Sequence, residues 1–501
     1  MVSLDRSTLA EITDNDIAAE YTLTHLLDMI TEGSTRDLLA PLGESLGSDK
    51  ILSLWDDIYH SNKSKINKVL DNIEMSNREK FGPRSIAKPW SSRKEKFYST
   101  FGYGEDLDLP VPKSDNSLRL RPLSITEATK YLKNSTNSGL PYLRKKVAVK
   151  PFIVDKFHST YGRFPAVLFT RTQEGGKTRD VWGYPISDTL GELMYYRPLL
   201  SYQSKAHWRA ALLSPKSLDK AMNLVLKQNK LNDQYLVSSD ISGYDNDCKF
   251  SLQKTAFNYI KSLYMKQYHS DIDVIFSRFN TIPIVCPDGV ITGPHGIPSG
   301  STFTNEVGSI IQYSVYDSCG CVDMRTIQCQ GDDGIVSTSN PDVVFQQFEK
   351  YNLKINVDKS DVSKEYCTYL QFLYHPDYVG SDNLIGGVYS TYRALNRIIH
   401  LERFIDLSKE DIDGKDYFAI RTISILENCK HHPLFKEFVH FVWTLDKYKL
   451  HTSDLGIRQF VDLKRRQEGK DVSFSVYTYG DEIRSIKDFE TFKLISEFNR
   501  K

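Results

Sequence analysis

The stretch from Thr326 to Thr338 constrains this chain more than any other, because it sets two adjacent carboxylates at a turn between two apolar runs. Ile327 and Cys329 precede Gln330-Gly331-Asp332-Asp333-Gly334, and Ile335 and Val336 follow it. The runs read as short buried strands joined in a hairpin, with Gly331 and Gly334 tolerating the backbone angles of a tight turn. Adjacent aspartates aimed at one point repel each other unless a divalent cation lies there. A solvated turn is the other reading, since Asp and Gly are ordinary turn residues.

A second acidic strand end lies upstream. Leu236-Val237 lead into Asp240-Ile241-Ser242-Gly243-Tyr244-Asp245, so Asp240 closes an apolar strand and Asp245 follows a loop containing Gly243. If this strand lies beside the hairpin, Asp240 and Asp332 meet at one edge of a sheet. Such an edge suits two Mg²⁺ ions about 3.5–4 Å apart, the arrangement that clamps an in-line phosphoryl displacement. Carboxylates, phosphate oxygens and water suffice for Mg²⁺, so cysteine and histidine ligands are not required.

A chain of 501 residues exceeds one ordinary core, and about two or three subdomains are expected. Its composition, 40% hydrophobic and 26% charged, is globular. Basic and acidic residues balance at 64 each, so nucleic-acid binding would rest on local basic clusters; a coat protein that neutralises a genome is disfavoured. The seven cysteines lack the paired spacing of a zinc site and read as reduced and mostly buried. No apolar run reaches the length of a membrane span, and Met1 to Asp14 lacks the apolar core of a signal peptide, so a cytosolic or particle-enclosed protein is expected.

Residues 1 to 105 look mainly helical, with Leu26, Leu27, Ile30, Leu38 and Leu39 spaced for an apolar face. Lys88 to Lys96 is basic and carries Pro89 and Trp90, which fits a strap between subdomains or a solvated connection with one docked tryptophan. Gly104 to Asn116, rich in Asp, Pro and Gly, is the first boundary. From Asn134 a polar loop runs into Arg144-Lys145-Lys146, either a track for a sugar-phosphate strand or a surface turn. Ala166 to Gln173 and Lys177 to Trp182 read as strands joined through Glu174-Gly175-Gly176. Arg171 and Lys177 flank that turn, and Arg179 shares a face with Lys177. Fixed cations of this kind suit the triphosphate of an incoming nucleotide, or make a solvated charged hairpin.

Phe250 to Tyr268 has helical spacing, and Val274 to Val285 returns to apolar and β-branched residues. Gly293 to Asn305 then joins a Gly-rich loop, with Ser299, Gly300 and Thr304, to a helix expected from about Thr302 to Tyr316. Hydroxyls and backbone donors at a helix start suit phosphate or sugar oxygens, or form an ordinary N-cap.

In that order, Asp240 to Asp245, Ser299-Gly300 to Thr304 and Gly331-Asp332-Asp333 resemble the three central palm motifs of viral RNA-dependent RNA polymerases. The hairpin with Arg171, Lys177 and Arg179 is similar to that family's basic finger motif, and Asn137-Ser138-Gly139-Leu140-Pro141 to its loop at the template entrance. Lys354 to Lys359 resembles the next palm motif, with Lys359 at the place of the proposed general-acid lysine. Phe372-Leu373-Tyr374 looks like the following hairpin, which grips the primer strand. The wording of these motifs is most similar to the picobirnavirus polymerases, with partitiviruses close behind; both groups have segmented double-stranded RNA genomes. The resemblance spans about Asn134 to Tyr374. One position departs: where many relatives place an asparagine four residues after the threonine, this chain has Gly308, and Asn305 lies one helical turn earlier on a similar face.

The resemblance implies an α+β right-hand polymerase with an antiparallel palm sheet and a mainly helical thumb. Residues 1–105 would link fingers and thumb, 106–232 and 250–297 form the fingers, 233–249 and 298–384 the palm, and 385–501 the thumb and C-terminal tail. It implies nucleotidyl transfer with two Mg²⁺ ions, or Mn²⁺ in their place, on Asp240 and Asp332 with Asp333 in support. Asp245 would read the ribose 2′-hydroxyl with Ser299, Gly300, Thr304 and Asn305, while Arg171, Lys177 and Arg179 hold the triphosphate. Ser138, Gly139, Phe372, Leu373 and Tyr374 would contact RNA. Arg393 and Arg397, in a stripe with His400 and Arg403 at one-turn spacing, would hold the product duplex by its phosphates or form a solvated face. Lys464-Arg465-Arg466 and the polar, aromatic end would form a loop that folds back toward the active centre. Implied partners are RNA template and product duplex, nucleoside triphosphates and a viral capsid protein, with no membrane; the implied location is the virion interior and the host cytoplasm. A reverse transcriptase would put a bulky residue at Asp245 and Tyr or Phe where Gly331 precedes the aspartates. A non-catalytic RNA-binding or capsid protein has no need of acidic positions on two strands.

Overall fold

Alternating side chains along two short strands set the central layers of the fold. In Tyr235–Ser239 and Asp333–Thr338, Leu236 and Ile335 pack to one side, against Met222 and Val225 of the helix Pro215–Leu231. Val237 and Val336 point the other way, into a core shared with the helices Phe250–Leu263, Thr304–Asp317 and Pro341–Lys350. A strand that buries both of its faces needs a helical layer on each side, and both layers are present. The sheet runs in the order Val322–Gln330, Asp333–Thr338, Tyr235–Ser239, Asp361–Ser363, and every pairing is antiparallel.

The structure, a computed structural model, describes residues 4–113, 119–356, 359–380, 382–469 and 485–500. A second sheet joins Lys177–Gly183, Ala166–Gln173, Ile284–Cys286 and Gly289–Ile291, with a parallel pairing in its middle. The β-branched run from Val274 does not extend it: His269–Thr281 is a helix that buries Ile272, Ile275 and Phe279 at helical spacing. A third, small sheet holds Val388–Tyr389, Phe372–Tyr374 and Cys367–Tyr369.

The N-terminal segment touches both ends of this arrangement. Leu23 and Leu27 of the helix Ile17–Glu32 pack with Val167 and Val285 of the second sheet. Further on, the Ala40 N–H donates to the Ile399 carbonyl at 2.8 Å, and Ile51, Trp55 and Tyr59 of Ser48–Ser61 enter a core with Thr391–Ile399, Gly414–Leu426 and Phe435–Leu445. Trp90 is buried and donates from Nε1 to Asp288 at 3.0 Å, so the 88–96 segment carries its docked tryptophan across the second sheet. Lys464, Arg465 and Arg466, expected in a fold-back loop, lie instead in the helix Asp454–Glu468, and residues 470–484 of the end that follows are outside the described residues. All seven cysteines are free, and only Cys321 is not buried. Among the described residues no helix is long and apolar enough to cross a membrane.

Glu74 fastens the N-terminal segment to the C-terminal helices. From the helix Lys68–Glu79 its buried carboxylate accepts from the Thr391 N–H at 2.8 Å, from Thr391 Oγ1 at 2.7 Å and from Ser390 Oγ, and His432 Nε2 lies 2.9 Å away. Burial opposes its charge, but His432 and these donors hold the carboxyl below its usual range. Glu74→Ala would leave a buried histidine and several donors without an acceptor, a loss of about 3 kcal/mol. Thermal unfolding should show it as a clear drop in Tm; a wild-type Tm would mean that the helix Thr391–Ile399 is held by apolar packing alone.

Candidate active site

Gln330 pairs with Asp333, which leaves Gly331 and Asp332 as a two-residue turn, and Gly331 has φ +68°. Primed hairpin turns require that angle and favour glycine for it. On the neighbouring strand Ser239 pairs with Gly334, so Asp240 lies across from Asp333 where the ladder ends. Asp240 and Asp332 are exposed, while Asp333 and Asp245 are half-buried. Burial pushes Asp333 up to about 7, helped by the charges of Asp332 and Asp240 and opposed by Arg393 and Arg179. Asp245 is pushed up to about 7 by burial and then by Asp332, again with Arg179 opposing. Negative charge is therefore crowded at this sheet edge.

The donors are all carboxylate oxygens, the ligand type that hard cations take. Among the described residues no three His, Cys, Asp or Glu side chains converge closely enough to hold an ion unaided. An open set of this kind fits Mg²⁺, which completes its shell with water and substrate phosphates. The segment carrying Lys359 is tied to the same edge: the Asp240 N–H donates to Ser360 Oγ at 3.0 Å, and the Asn356 N–H donates to the Asp240 carbonyl at 2.8 Å.

The basic hairpin faces this cluster. Arg171 pairs directly with Arg179 and Gln173 with Lys177, so the three cations share one face. Lys177 is lowered by burial and by Arg179, Lys96 and Lys359, with Asp240 opposing, which brings Lys359 and Asp240 into the same field. Like charges directly opposed weaken a ladder unless an anion lies between them. The other face is covered, since Asp180 pairs with Arg93 and Thr178 Oγ1 accepts from the Lys88 N–H at 3.0 Å. At the turn, Glu174 pairs with Arg84 at 3.3 Å and with Arg393 at 3.0 Å, and Arg171 lies 3.8 Å from Glu402.

The Gly-rich loop bridges the two. Ser299 Oγ accepts from the Trp182 N–H and donates to the Asp180 carbonyl, both at 3.3 Å. A Cβ on Gly300 would lie 1.5 Å from the Trp182 carbonyl oxygen, so only glycine fits. The Ile297 N–H donates to the Asp245 carbonyl at 2.7 Å, tying the loop to the acidic loop as well. The helix starts at Thr304, later than expected from Thr302, because Thr302 is held by Glu192: its N–H donates to that carboxylate at 2.7 Å and its hydroxyl at 2.9 Å. Burial pushes Glu192 up to about 7 against these bonds and that of Ser301. Sequence reasoning missed Glu192, which sits in the buried helix Ile186–Gln203 with no motif around it. The Thr304 hydroxyl donates to the Pro298 and Ser301 carbonyls at 2.6 and 2.9 Å, so its proton holds the loop.

From below, the helix braces the turn. Ser309 Oγ accepts from the Gly331 N–H at 2.7 Å, and Gln312 Nε2 donates to the Asp332 carbonyl at 3.2 Å. Gly308 has a physical cause here: a Cβ would lie 3.3 Å from the Tyr244 ring and 3.5 Å from Gly331, while Tyr244 donates to the Gly308 carbonyl at 2.6 Å.

Most of the residues expected to contact RNA have side chains engaged within the protein. Ser138 and Gly139 are buried: Ser138 Oγ accepts from the Arg144 N–H at 3.1 Å, and a Cβ on Gly139 would meet the Tyr184 carbonyl at 2.4 Å. They shape the loop, and their neighbours Arg144 and Lys145 are exposed. Leu373 and Tyr374 are buried in apolar cores, and only Phe372 is partly exposed, 5.2 Å from the Tyr389 ring. Arg393 and Arg397 donate to the Tyr389 hydroxyl at 3.0 and 3.1 Å, and Arg393 also reaches Glu174.

A family profile for viral RNA-dependent RNA polymerases matches residues 103–381. The chain is 30% identical, over 77% of its length and 77% of the relative's, to a potential RNA-dependent RNA polymerase of a human picobirnavirus. It belongs to the viral RNA-dependent RNA polymerases. An RNA-directed RNA polymerase of Cryptosporidium parvum virus 1 is 26% identical over 38% of this chain and 40% of that one. The crystal structure of a human picobirnavirus RNA-dependent RNA polymerase superposes with a TM-score of 0.83 at 26% identity, covering 99% of both chains, and its insertion-loop deletion mutant with 0.82. The fold is thus the right-hand polymerase fold, α+β, and the four-stranded antiparallel sheet is its palm. As a polymerase of this family it acts on RNA and nucleoside triphosphates.

In this polymerase Gly300→Ala should leave the global fold intact, yet displace the loop from Trp182 by about 1.5 Å, because a Cβ 1.5 Å from the carbonyl oxygen must move out to ordinary contact distance. A misplacement of that size costs about 100-fold in rate. Steady-state incorporation should show it in kcat/KM for the nucleotide; wild-type kinetics would mean that the loop tolerates a second position.

Proposed function

We propose that this polymerase replicates and transcribes a double-stranded RNA genome by two-metal nucleotidyl transfer. The observation that carries the chemistry is the strand register, with Asp240 across from Asp333 and Asp332 in the turn between paired strands. Asp240 and Asp332, with Asp333 in support, would hold two Mg²⁺ ions, or Mn²⁺, whose part is to neutralise charge on the attacking and leaving oxygens. Arg179, Lys177 and Arg171 hold the triphosphate of the incoming nucleotide, and their opposed positions on the hairpin favour an anion between them. Lys359, on the segment bonded to Asp240, gives a proton to the departing pyrophosphate.

Asp245 reads the ribose 2′-hydroxyl, the group that distinguishes RNA from DNA precursors, and the loop with Ser299 and Gly300 sets its height. Exposed Arg144 and Lys145 suit the template backbone, and Arg393 and Arg397, both half-buried and bonded to Tyr389, would meet the product duplex. The double-stranded genome rests on likeness to picobirnavirus polymerases. With it come a capsid protein as partner and a working place in the virion interior and the host cytoplasm.

Labelled-nucleotide incorporation on an RNA template with Mg²⁺ tests this reading. Asp332→Asn should cut incorporation by at least about 1,000-fold without lowering Tm, and near-normal activity would sink the assignment. Arg179→Ala should raise the nucleotide KM or depress kcat by about tenfold or more while RNA affinity holds. If RNA affinity falls and nucleotide kinetics stay, the hairpin is a template track.

A further inference from the structure

Three polar side chains of the helix Thr304–Asp317 approach the catalytic turn, and two are already engaged. Ser309 takes the Gly331 N–H, and Gln312 donates to the Asp332 carbonyl. The third, Asn305, is half-buried, and a Cβ built on Gly331 would lie 3.0 Å from its side-chain nitrogen. Its orientation is set from beneath. Arg209, in the 3-10 turn His207–Leu212, is fully buried, as is Glu306, and Arg209 Nη2 lies 3.0 Å from the Glu306 carboxylate. The same nitrogen donates to Asn305 Oδ1 at 3.2 Å.

A guanidinium has donors only, so the Asn305 amide must turn its oxygen to Arg209. Its NH₂ then faces the turn that carries Asp332. Among the described residues no acceptor is bonded to that nitrogen. Glu306 makes the arrangement possible, because an arginine buried without a counter-charge would be strongly disfavoured.

We infer that Arg209 is a positioning residue that makes Asn305 present an amide donor to the ribose hydroxyls of the incoming nucleotide. The inference rests on the reading of Asp245 as a ribose contact. A carboxylate acceptor from one side and an amide donor from the other complement a hydroxyl, which both donates and accepts. A deoxyribose would leave both groups unpaired, and that is how a polar site rejects the wrong sugar. Neither partner of the buried pair touches the nucleotide, so its effect passes wholly through Asn305.

The test is the ratio of kcat/KM for GTP and dGTP opposite one template base. Arg209→Met combined with Glu306→Met replaces both buried charges by apolar groups of similar volume, a change that buried ion pairs tolerate. The folded double variant should show the ratio reduced by about tenfold, the loss of one hydrogen bond. Asn305→Ala should give the same fall, and adding it to the double variant should give no more. An unchanged ratio in the double variant, while Asn305→Ala lowers it, overturns the role of Arg209. Unchanged ratios in both, while Asp245→Ala lowers it, overturn the inference and leave ribose reading by Asp245 in place. An unchanged ratio in Asp245→Ala overturns that reading instead. Should the double variant fail to fold, Asn305→Asp keeps an acceptor for Arg209 but removes the amide donor. It should lower the ratio with Tm retained, and an unchanged ratio there overturns the proposal.

Discussion

The pairing of Ser239 with Gly334 is the contact on which the active centre depends. Side chains alternate along a strand, so a slip of one residue would send Leu236 and Ile335 into the wrong core and move Asp240 away from Asp333 at the same stroke. The two apolar layers on either face of the palm therefore do more than stabilise it. They fix the register that brings mutually repelling carboxylates to one edge, and the burial of those layers offsets the electrostatic cost of assembling them. The turn then needs no reinforcement of its own beyond Ser309 and Gln312, which hold its backbone and leave its carboxylates free.

The parts of this arrangement that were legible in the sequence are those that use short, local chemistry. Gly-Asp-Asp between apolar runs, Asp240 at a strand end, and the cations around Glu174 each state their conformation within a few residues. What stayed hidden was long-range satisfaction of buried polar groups. Glu192 and Arg209 carry no local signal, because their partners, Thr302 and Asn305, lie far away in sequence. Ser138, Leu373 and Tyr374 show the converse: a motif marks where the backbone must go, and only the fold shows that these side chains are buried. The run from Val274 shows the third limit, in which β-branched residues at helical spacing followed the tertiary core and not their propensity.

Gly308 joins these themes. As a departure from a pattern it looked like a lost contact, yet the structure fills the space with the Tyr244 ring and the backbone of the turn. One turn earlier on the helix, Asn305 turns its amide oxygen to the buried Arg209.

The ion pairs around Glu174 join three distant parts of the chain, since Arg84 comes from the N-terminal segment and Arg393 from the C-terminal helices. Arg84 also reaches Glu402 at 2.7 Å, and its side chain is only 10% exposed. Pairs so sheltered are screened weakly by salt, whereas exposed cations such as Arg144 and Lys145 are screened strongly. Rising ionic strength would thus weaken the field of the exposed cations well before it loosened the ion pairs that join the three parts of the chain.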